Sequence, residues 1–350
     1  MPFNKKPRLC SRGFLLKNLP AFIFILHIVK RIGIFTSGGD SPGMNACIRA
    51  AVRTCLAYGI EPYGIRRGYE GMIEDDIHPL NAGSVSNIIQ YGGTVLKTAR
   101  SAEFRTPEGR AKAAVNLKKN GIEGLICIGG NGSYTGAMYL QKEHGIPSIG
   151  CPGTIDNDLA GTDYTIGFDT AVNTAMDAID RIRDTAESHG RVFFVEVMGR
   201  DSGYIGLYAG LAGGAEGILI PEKGNQFDVL IKQYEQKSRK KEFSIYVVAE
   251  GDEEGKALEL SRRFLQHYPD SDTRIVVLGH IQRGGKPTAS DRILASRLGA
   301  HAVKGLTEGL NNCAVGVIKD EIIYTSFEEA IKGKKELNDN LWILNEMICR

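Results

Sequence analysis

The sequence predicts an α/β fold of two doubly wound units with mostly parallel sheets. Short apolar segments alternate with longer segments whose apolar residues recur at helical spacing, from residue 31 to about residue 306. Polar or glycine-rich turns repeatedly follow the apolar segments. Such turns are typical of the strand ends where parallel α/β sheets build their ligand sites. The 350 residues are enough for two domains.

Composition and charge exclude several classes of protein. The formal net charge is +2, so no overall field would draw the chain to nucleic acid or to a membrane surface. The seven cysteines are scattered, odd in number and without a C-x-x-C pair. This pattern indicates reduced thiols in a cytoplasmic protein and argues against a disulfide framework or a zinc site.

Residues 1–30 differ from the rest of the chain. Basic residues precede an apolar run at 19–29, as in a signal peptide or an anchor. The run is shorter than the roughly 20 residues that a membrane-spanning helix needs, and no small-residue cleavage site follows it. We interpret 1–30 as a non-native or disordered extension, for example from a misassigned start codon. A membrane anchor is the alternative.

The first unit begins with an apolar strand at 32–35, a glycine-rich turn at 36–45 and a helix to about Tyr58. The turn lacks the G-x-G-x-x-G spacing of a dinucleotide fingerprint, and no G-K-[ST] follows it as in a Walker A loop. A phosphate site and a tight turn without a ligand both stay open at this point.

The segment from residue 59 to residue 120 carries weaker signals. The residues Tyr63, Gly64 and Ile65 precede a loop that contains Arg100. Arg100 could lie over a nucleotide phosphate or form a solvated ion pair. The helix expected at about 107–120 has apolar positions that indicate packing and nothing more.

Two strand ends carry the residues around which the chain is organised. The strand at 124–128 leads into the glycine-rich turn 129–133 and a helix, which together present backbone N–H groups and a helix dipole to phosphate. The next strand ends before Thr154, Asp156 and Asp158. Our hypothesis is that phosphate is held at the first junction and a hydroxyl group is activated at the second.

The second unit opens with a long helix at about 170–188, after a boundary near residue 167. Its last strand ends at His280, Gln282 and Arg283. His280 alone would be typical of a structural residue, and its polar neighbours suggest a role in a site. A helix at about 290–306 follows, and the tail then alternates apolar and charged residues. The predicted strands of this unit are 192–197, 217–220, 243–248 (preceded by a basic run at 237–241) and 274–278.

Five stretches together resemble the signature blocks of the bacterial-type 6-phosphofructokinases. They stand in the family's order and at its spacing, and the resemblance runs from about residue 30 to the last thirty or so residues. NAD kinases and diacylglycerol kinases share a related G-G-D-G element but lack the other four blocks. The stretches are TSGGDSPGMN at 36–45, GGNGSYTG at 129–136, PGTIDND at 152–158, MGR at 198–200 and GHIQRGG at 279–285.

The resemblance implies two Rossmann-like domains with the active site in the cleft between them. Residues 31–166 with about 281–330 would bind ATP, and 167–280 with about 331–350 would bind fructose 6-phosphate. The implied reaction is the committed step of glycolysis, which gives fructose 1,6-bisphosphate and ADP. Its catalytic residues would be Asp156 as the base for the sugar's 1-hydroxyl, Thr154 as the group that positions the phosphoryl, and Arg200.

The same resemblance implies the remaining ligand contacts. Arg191 and Arg274 match arginines that reach the sugar phosphate from a neighbouring subunit, which implies a homotetramer. ATP would be bound by Gly39, Arg100, Ser101, Gly130, Asn131, Gly132 and Ser133. The sugar phosphate would be bound by Thr154, Ile155, Asp156, Met198, Gly199, Arg200, Glu250, His280, Ile281, Gln282 and Arg283.

Two glycines indicate the phosphoryl donor. In pyrophosphate-using relatives an aspartate occupies the position of Gly132 and a lysine that of Gly153. An aspartate side chain at 132 would crowd the α-phosphate of ATP. The sequence therefore resembles the ATP-dependent branch of the family.

One residue departs from the family at the magnesium site. The family's loop reads G-G-D-G-S and its aspartate helps to hold Mg²⁺, whereas this chain has Asn131. Asparagine keeps a carbonyl oxygen but loses the charge, so we expect weaker use of Mg·ATP, with Asp158 and water compensating in part. The alternatives for this residue are deamidation of Asn131 to aspartate and an engineered or erroneous residue. The alternatives for the function are a weakly catalytic or regulatory homologue, and a kinase of another acceptor such as sedoheptulose 7-phosphate.

The family's effector site, which holds ADP or phosphoenolpyruvate between subunits, is only partly matched. Ala82 stands where another arginine is expected, and Glu242 adds a negative charge nearby. The strength and the sign of regulation therefore stay open. The candidate effector residues are Arg49, Arg53, Arg183, Glu216, Arg239 and Lys241.

Overall fold

The structure is a computed structural model that describes residues 29–236 and 243–348. The predictions for 1–28 and for the basic run at 237–241, including Arg239 and Lys241, lie outside the described residues. Eleven strands are described, β1 (Arg31–Thr36), β2 (Glu61–Ile65), β3 (Ile77–Pro79), β4 (Gly124–Gly129), β5 (Ser148–Pro152), β6 (Val192–Val197), β7 (Gly217–Leu219), β8 (Ser244–Ala249), β9 (Thr273–Val277), β10 (Cys313–Ile318) and β11 (Glu321–Ser326).

The described helices pack between and around these strands. Two short 3₁₀ turns accompany them, at Glu103–Arg105 and Gly279–Arg283. The α-helices are α1 (Met44–Ala57), α2 (Tyr69–Ile73), α3 (Pro107–Lys119), α4 (Asn131–His144), α5 (Phe168–His189), α6 (Tyr204–Ala212), α7 (Gln226–Glu235), α8 (Ala257–His267), α9 (Ala289–Thr307), α10 (Phe327–Lys332) and α11 (Asp339–Ile348).

The strands form two sheets. The larger has the order β11-β10-β5-β4-β1-β2-β3, and the smaller has the order β7-β8-β6-β9. All neighbours in the smaller sheet are parallel. The larger sheet is parallel from β10 to β2, and antiparallel only where β3 and β11 close its two edges.

Both faces of each sheet are covered, as a doubly wound fold requires. One apolar cluster joins the larger sheet to α1 and α9, and a second covers its other face with α3, α4 and α10. In the smaller sheet, α5 and α6 cover one face and α7 and α8 the other. Every residue of β4 is buried, as expected for a strand covered on both faces. The predicted α/β class is confirmed, whereas the division into two ligand-binding domains stays a prediction.

The tail is where the prediction was incomplete. The sequence indicated only an alternation of apolar and charged residues, but the structure places β10, β11, α10 and α11 there. The strands are joined by Lys319 and Asp320, whose φ angles are 50° and 68°. This tight turn contains no glycine or asparagine, so the usual sequence signal of a hairpin is missing.

Helices α5 and α9 join the two parts of the chain through hydrogen bonds between their first turns. The Asp291 carboxylate accepts hydrogen bonds from the backbone N–H groups of Gly167 and Thr170, both at 2.8 Å. In the opposite direction, Thr288 Oγ1 donates to an Asp169 carboxylate oxygen at 2.5 Å. The first turn of α5 is therefore held by the first turn of α9.

The described part of the chain contains free cysteine thiols. Cys47, Cys55, Cys127, Cys151 and Cys313 are free and buried, which agrees with the prediction of reduced thiols. No helix within 29–236 or 243–348 is both long enough and apolar enough to cross a membrane.

Candidate active site

The turns that follow β1, β4 and β5 meet at one edge of the larger sheet and line a cleft of about 630 Å³. They meet because the carboxyl ends of parallel strands lie at the same edge. Arginines from the second half of the chain complete the lining. The predicted site residues that line the cleft are Gly39, Arg100, Ser101, Gly130, Asn131, Gly132, Ser133, Thr154, Ile155, Asp158, Arg200 and Arg283.

The start of α4 forms one end of the cleft. Gly130 is its N-cap and supplies no side-chain hydrogen bond, so the N–H groups of Asn131 and Gly132 stay available to an anionic ligand, whereas the Ser133 N–H donates to the Gly130 carbonyl at 2.9 Å. Ser133 Oγ donates to the Ser37 carbonyl at 3.0 Å, which ties this turn to the glycine-rich turn after β1. No atom lies within 4 Å of the place that a Cβ at Gly132 would occupy. The arrangement can hold a phosphate chain.

Asp156 lies at the centre of the catalytic loop after β5. Asp156 is only 2% exposed, and its Oδ2 lies 3.5 Å from Arg200 Nε. Its Oδ1 is buried and has no hydrogen-bond partner. Burial, with the nearby Asp158 charge, raises the pKa of Asp156 to about 6 against the opposing effect of Arg200 and Arg283. A buried carboxylate with one free oxygen is suited to accept a proton.

Thr154 is positioned by hydrogen bonds on both sides. Its Oγ1 accepts the Asp156 N–H at 3.2 Å, and its carbonyl accepts the Thr165 hydroxyl at 2.6 Å. Thr154 lines the cleft together with Asp158 and Arg200. Thr154 also lies close to the start of α4, since a Cβ at Gly130 would stand 3.9 Å from Thr154 Cβ.

Asn131 and Asp158 are the candidate metal ligands. Asn131 Oδ1 is buried without a hydrogen-bond partner, and burial raises the pKa of Asp158. Both are hard oxygen donors of the kind that Mg²⁺ accepts, so the two residues fit a divalent cation. The part of the chain that the structure describes contains no cluster of three His, Cys, Asp or Glu side chains for a metal. Phosphate and water oxygens would have to complete the coordination.

Arg200 is held in a strained backbone position. Its φ is 53°, and its N–H donates to Glu250 Oε1 at 2.8 Å, with Gly199 N–H at 3.3 Å from the same oxygen. A Cβ at Gly251 would stand 1.8 Å from the Arg200 carbonyl oxygen. Glu250 therefore acts on the site by fixing the loop that carries Arg200.

Arg283 approaches the first glycine-rich turn closely. A Cβ at Gly39 would stand 2.2 Å from Arg283 Nη1, so a side chain there would displace this guanidinium. Arg283 Nε is buried and unpartnered. Gly39 was predicted as a nucleotide contact, and the structure gives it this second role.

The comparisons with known proteins agree with this geometry. The family model described as Phosphofructokinase matches residues 31–306. The chain belongs to the phosphofructokinase family. It is 56% identical over 322 residues to "ATP-dependent 6-phosphofructokinase 1" of Thermus thermophilus, covering 92% of this chain and 100% of the relative. It is 53% identical over 319 residues to "ATP-dependent 6-phosphofructokinase" of Bacillus subtilis, covering 91% and 99%.

Solved phosphofructokinases share the fold. The structure of phosphofructokinase from Saccharomyces cerevisiae matches with a TM-score of 0.80 and 36% identity, over 87% of this chain and 45% of the yeast chain. The pyrophosphate-dependent phosphofructokinase from Marinobacter aquaeolei matches with a TM-score of 0.78, covering 89% of this chain and 86% of its own. At 22% identity, this second match supports the fold alone. The resemblance read from the five stretches is confirmed.

Besides Arg191 and Arg274, seven predicted sugar-phosphate residues are absent from the cleft lining, namely Asp156, Met198, Gly199, Glu250, His280, Ile281 and Gln282. Gln282 is fully buried, accepts the Met198 N–H at 3.3 Å and donates to the Gly279 carbonyl at 3.1 Å. It ties together the turns after β6 and β9. His280 and Ile281 are exposed on the 3₁₀ turn. Their contact with a ligand stays a prediction.

Arg191 and Arg274 lie away from the cleft, at the opposite ends of β6 and β9. Both bind Asp272, with nitrogen–oxygen distances of 2.8 Å and 2.6 Å. Six residues of β6 separate Arg191 from the turn that carries Arg200, about 20 Å along a strand. The chain itself does not bring these arginines to its own cleft.

The candidate effector residues of this family member fall into separate groups. Arg183 on α5 donates to the Gly214 carbonyl at 2.7 Å, and its Nη1 lies 3.9 Å from Glu216. Arg49 and Arg53 lie on α1, which packs against the larger sheet and α9. Their function stays a prediction.

Sequence reasoning missed residues on both sides of the cleft. Helix α3 was expected to serve packing alone, which is wrong. Its Arg110 lines the cleft, pairs with Glu143 at 2.6 Å and lies 4.6 Å from the ring centre of Tyr139. Lys335 was also missed, and burial lowers its pKa to about 7 against the opposing charges of Asp163 and Asp158. Neither residue lies in a motif that could have identified it.

Proposed function

We propose that this member of the phosphofructokinase family transfers the γ-phosphoryl group of ATP to the 1-hydroxyl of fructose 6-phosphate. The products are fructose 1,6-bisphosphate and ADP. The observation that carries the proposal is the buried Asp156, whose Oδ1 is free, in a loop shared with Thr154 and beside the start of α4. Relatives more than 50% identical over nine tenths of the chain are named ATP-dependent 6-phosphofructokinases.

Asp156 serves as the base for the sugar hydroxyl. Its ionised carboxylate accepts the proton of the 1-hydroxyl as the oxygen–phosphorus bond forms. A pKa of about 6 leaves it ionised near neutral pH and still basic enough to take the proton. Phosphoryl transfer has a loose transition state, so positioning and charge stabilisation contribute more than covalent chemistry.

The cationic side chains supply that charge stabilisation. Arg200 and Arg283 enter the cleft from the smaller-sheet side, and their charges lower the pKa of Asp156. A guanidinium offers a planar pair of N–H donors that matches a phosphate group. Thr154 Oγ would orient the phosphoryl group between donor and acceptor.

ATP is the donor in this proposal, and the glycines at 132 and 153 favour it. Gly132 lines the cleft and has open space around the place of a Cβ, so it leaves room for a nucleotide phosphate. A Cβ at Gly153 would stand 2.9 Å from Met44 Cε, so a lysine there would require repacking. Both observations disfavour the pyrophosphate-dependent arrangement.

Mg²⁺ that accompanies ATP would be held by Asn131 and Asp158 in this proposal. When bound, it would neutralise part of the phosphate charge. The amide oxygen of Asn131 is neutral, so this chain holds one formal negative charge less at the ion than a pair of carboxylates would. The consequence is a higher Mg²⁺ requirement.

The decisive experiment titrates Mg²⁺ with the unchanged chain and Asn131→Asp side by side, measuring fructose 1,6-bisphosphate formed from ATP. We expect both to be active, with Asn131→Asp reaching half-maximal rate at a roughly tenfold lower Mg²⁺ concentration, since a charged ligand contributes about 1.4 kcal/mol more than a neutral one. An inactive unchanged chain that Asn131→Asp activates would instead support the weakly catalytic homologue, which no comparison favours. Sedoheptulose 7-phosphate, assayed in parallel, tests the acceptor.

We also propose a homotetramer, regulated by ADP or phosphoenolpyruvate, in the cytoplasm. The position of Arg191 and Arg274 far from the cleft supports an active site shared between subunits, because these arginines are too distant to contact a phosphate in the cleft of their own chain. The buried, unpaired thiols fit a reducing compartment. Effector titration of the purified protein tests the regulation.

A further inference from the structure

The segment between α10 and α11 returns to the back of the catalytic loop. Lys335, half-buried in this segment, places its Nζ 2.8 Å from Asn157 Oδ1 and 2.8 Å from the Asp163 carbonyl oxygen. Asn157 stands between Asp156 and Asp158 in the sequence. A residue 178 positions away therefore contacts the loop that carries both functional carboxylates.

Asn157 holds the catalytic loop in its shape. It is fully buried and has a left-handed φ of 54°, a conformation that persists only where surrounding contacts maintain it. Its Oδ1 also accepts the Thr165 N–H at 3.0 Å, and its Nδ2 donates to the Asp163 carbonyl at 3.3 Å. The Asn157 amide thus closes the loop, and Lys335 donates to both oxygens that accept these hydrogen bonds, Asn157 Oδ1 and the Asp163 carbonyl oxygen.

Lys335 is itself held by the start of α6. The Tyr204 hydroxyl donates to the Glu336 carbonyl at 2.6 Å, and the Tyr204 ring centre lies 5.0 Å from Lys335 Nζ, a cation–π distance. Two residues before Tyr204, Ser202 Oγ donates to the Asp156 carbonyl at 3.0 Å. The ammonium therefore joins the catalytic loop, the Arg200 loop and the carboxyl-terminal segment.

We propose that Lys335 is a positioning residue for phosphoryl transfer, because it fixes Asn157 and thereby the directions of the Asp156 and Asp158 carboxylates. The proposal rests on the proposed function and adds a residue to it. The charged groups that face the ammonium are Asp158 and Asp163. Nζ can donate both hydrogen bonds whether it is charged or neutral, so the positioning does not depend on its titration.

The activity test compares Lys335→Met and Lys335→Arg with Lys334→Met, a matched control at the exposed neighbouring lysine. We expect Lys335→Met to lower kcat about 10- to 100-fold, the range for a lost hydrogen bond to a charged group. KM for ATP should change less than about threefold. Lys335→Arg should recover part of kcat because it restores the donors. A kcat for Lys335→Met equal to that of Lys334→Met would overturn the proposal.

A structural readout separates positioning from simple anchoring. Trp342, the single tryptophan of the chain, is buried in α11 just beyond Lys335, so its fluorescence reports whether the segment stays docked. We expect Lys335→Met to keep the emission maximum of the unchanged chain. If the loss of kcat is accompanied by red-shifted emission, Lys335 is an anchor for the segment and the proposal fails.

Hydrogen exchange tests the proposal without the reaction. The Thr165 N–H donates to Asn157 Oδ1, so Lys335→Met should speed amide exchange in the peptide 154–166 about tenfold, and Lys334→Met should not. Unchanged exchange would overturn the positioning role. If the unchanged chain forms no fructose 1,6-bisphosphate, the proposed function fails. Faster amide exchange in Lys335→Met would still show that Lys335 stabilises the catalytic loop.

Discussion

Asp156 combines a buried position with a negative charge, and the reaction uses the resulting basicity. Burial raises the pKa of its carboxyl from 3.8 to about 6. Folding therefore gains stability from protonated Asp156 below about pH 4 and loses that gain as the pH rises through 6. Near neutral pH, the ionised Asp156 therefore makes the folded protein less stable than a neutral side chain at the same position would.

Asp156→Asn should consequently stabilise the protein at pH 8 while abolishing activity. The expected gain in the free energy of unfolding is up to about 3 kcal/mol, since each pKa unit corresponds to about 1.4 kcal/mol. Urea unfolding at pH 8 and at pH 4 measures it, and the gain should shrink at the lower pH. Asp201→Asn, at an exposed position of the neighbouring loop, is the control. An equal gain at both pH values would contradict the assignment to Asp156.

The pH dependence of kcat tests the same carboxyl in the reaction. We expect kcat to fall on the acid side with a midpoint near pH 6, because protonated Asp156 cannot accept the hydroxyl proton. The measurement uses saturating fructose 6-phosphate, since the substrate's own phosphate titrates near this pH. Arg200→Gln should move the midpoint to higher pH, because Arg200 lowers the pKa of Asp156. A midpoint near 4 in both proteins would exclude Asp156 as the titrating base.

At the scale of elements, the contact between α5 and α9 joins the two halves of the chain. Asp291 is 1% exposed and accepts hydrogen bonds from Gly167 N–H, Thr170 N–H and Thr170 Oγ1. Burial outweighs these bonds and raises the pKa of Asp291 to about 6. The carboxylate supplies the cap that Gly167, the N-cap of α5, cannot provide.

Asp291→Ala should therefore lower the free energy of unfolding by about 2–4 kcal/mol, because buried N–H donors lose their acceptor. Asp291→Asn keeps one acceptor oxygen and should lose less. Chemical denaturation measures both against Asp184→Ala, which removes an exposed carboxylate from the middle of α5. Equal stability of Asp291→Ala and Asp184→Ala would show that α5 needs no cap from α9.

At the scale of the whole molecule, the position of Arg191 and Arg274 supports the proposed homotetramer. Asp272 holds the two guanidinium groups together on the side of the smaller sheet away from the cleft. Strand β9 is the edge of that sheet, and its Val277 is 60% exposed. An unpaired edge with an exposed apolar residue is suited to contact another subunit.

Subunit mixing tests the shared active site. Arg274→Ala should raise KM for fructose 6-phosphate without lowering thermal stability, and Asp156→Asn should be inactive. Hybrids of the two should regain activity, because some sites would combine Asp156 from one subunit with Arg274 from the other. Mixing Asp156→Asn with Arg200→Gln is the control, since both residues belong to one cleft. No recovery in the first mixture would contradict a site completed between subunits.

The sequence by itself determined strands β1 and β4 to β9 and the residue types in the turns after them, whereas β2, β3 and β10 were not predicted. Runs such as Gly124–Gly129 are apolar because the strand is buried on both faces, and that pattern is local. The hydroxyl, carboxylates and glycines after β1, β4 and β5 could be assigned to one cleft, because parallel strands end at the same edge. The half-exposed edge strand β11 carried too weak a pattern to be predicted.

Only the tertiary structure decided how the site residues act on one another. The pKa of Asp156 depends on the charges of Arg200 and Arg283. Arg283 approaches Gly39, which lies 244 positions earlier in the chain, and Lys335 donates a hydrogen bond to Asn157. Such contacts arise when whole elements pack, and no local spacing in the sequence encodes them. Burial and electric field depend on all surrounding atoms, so the basicity of Asp156 is a property of the folded chain.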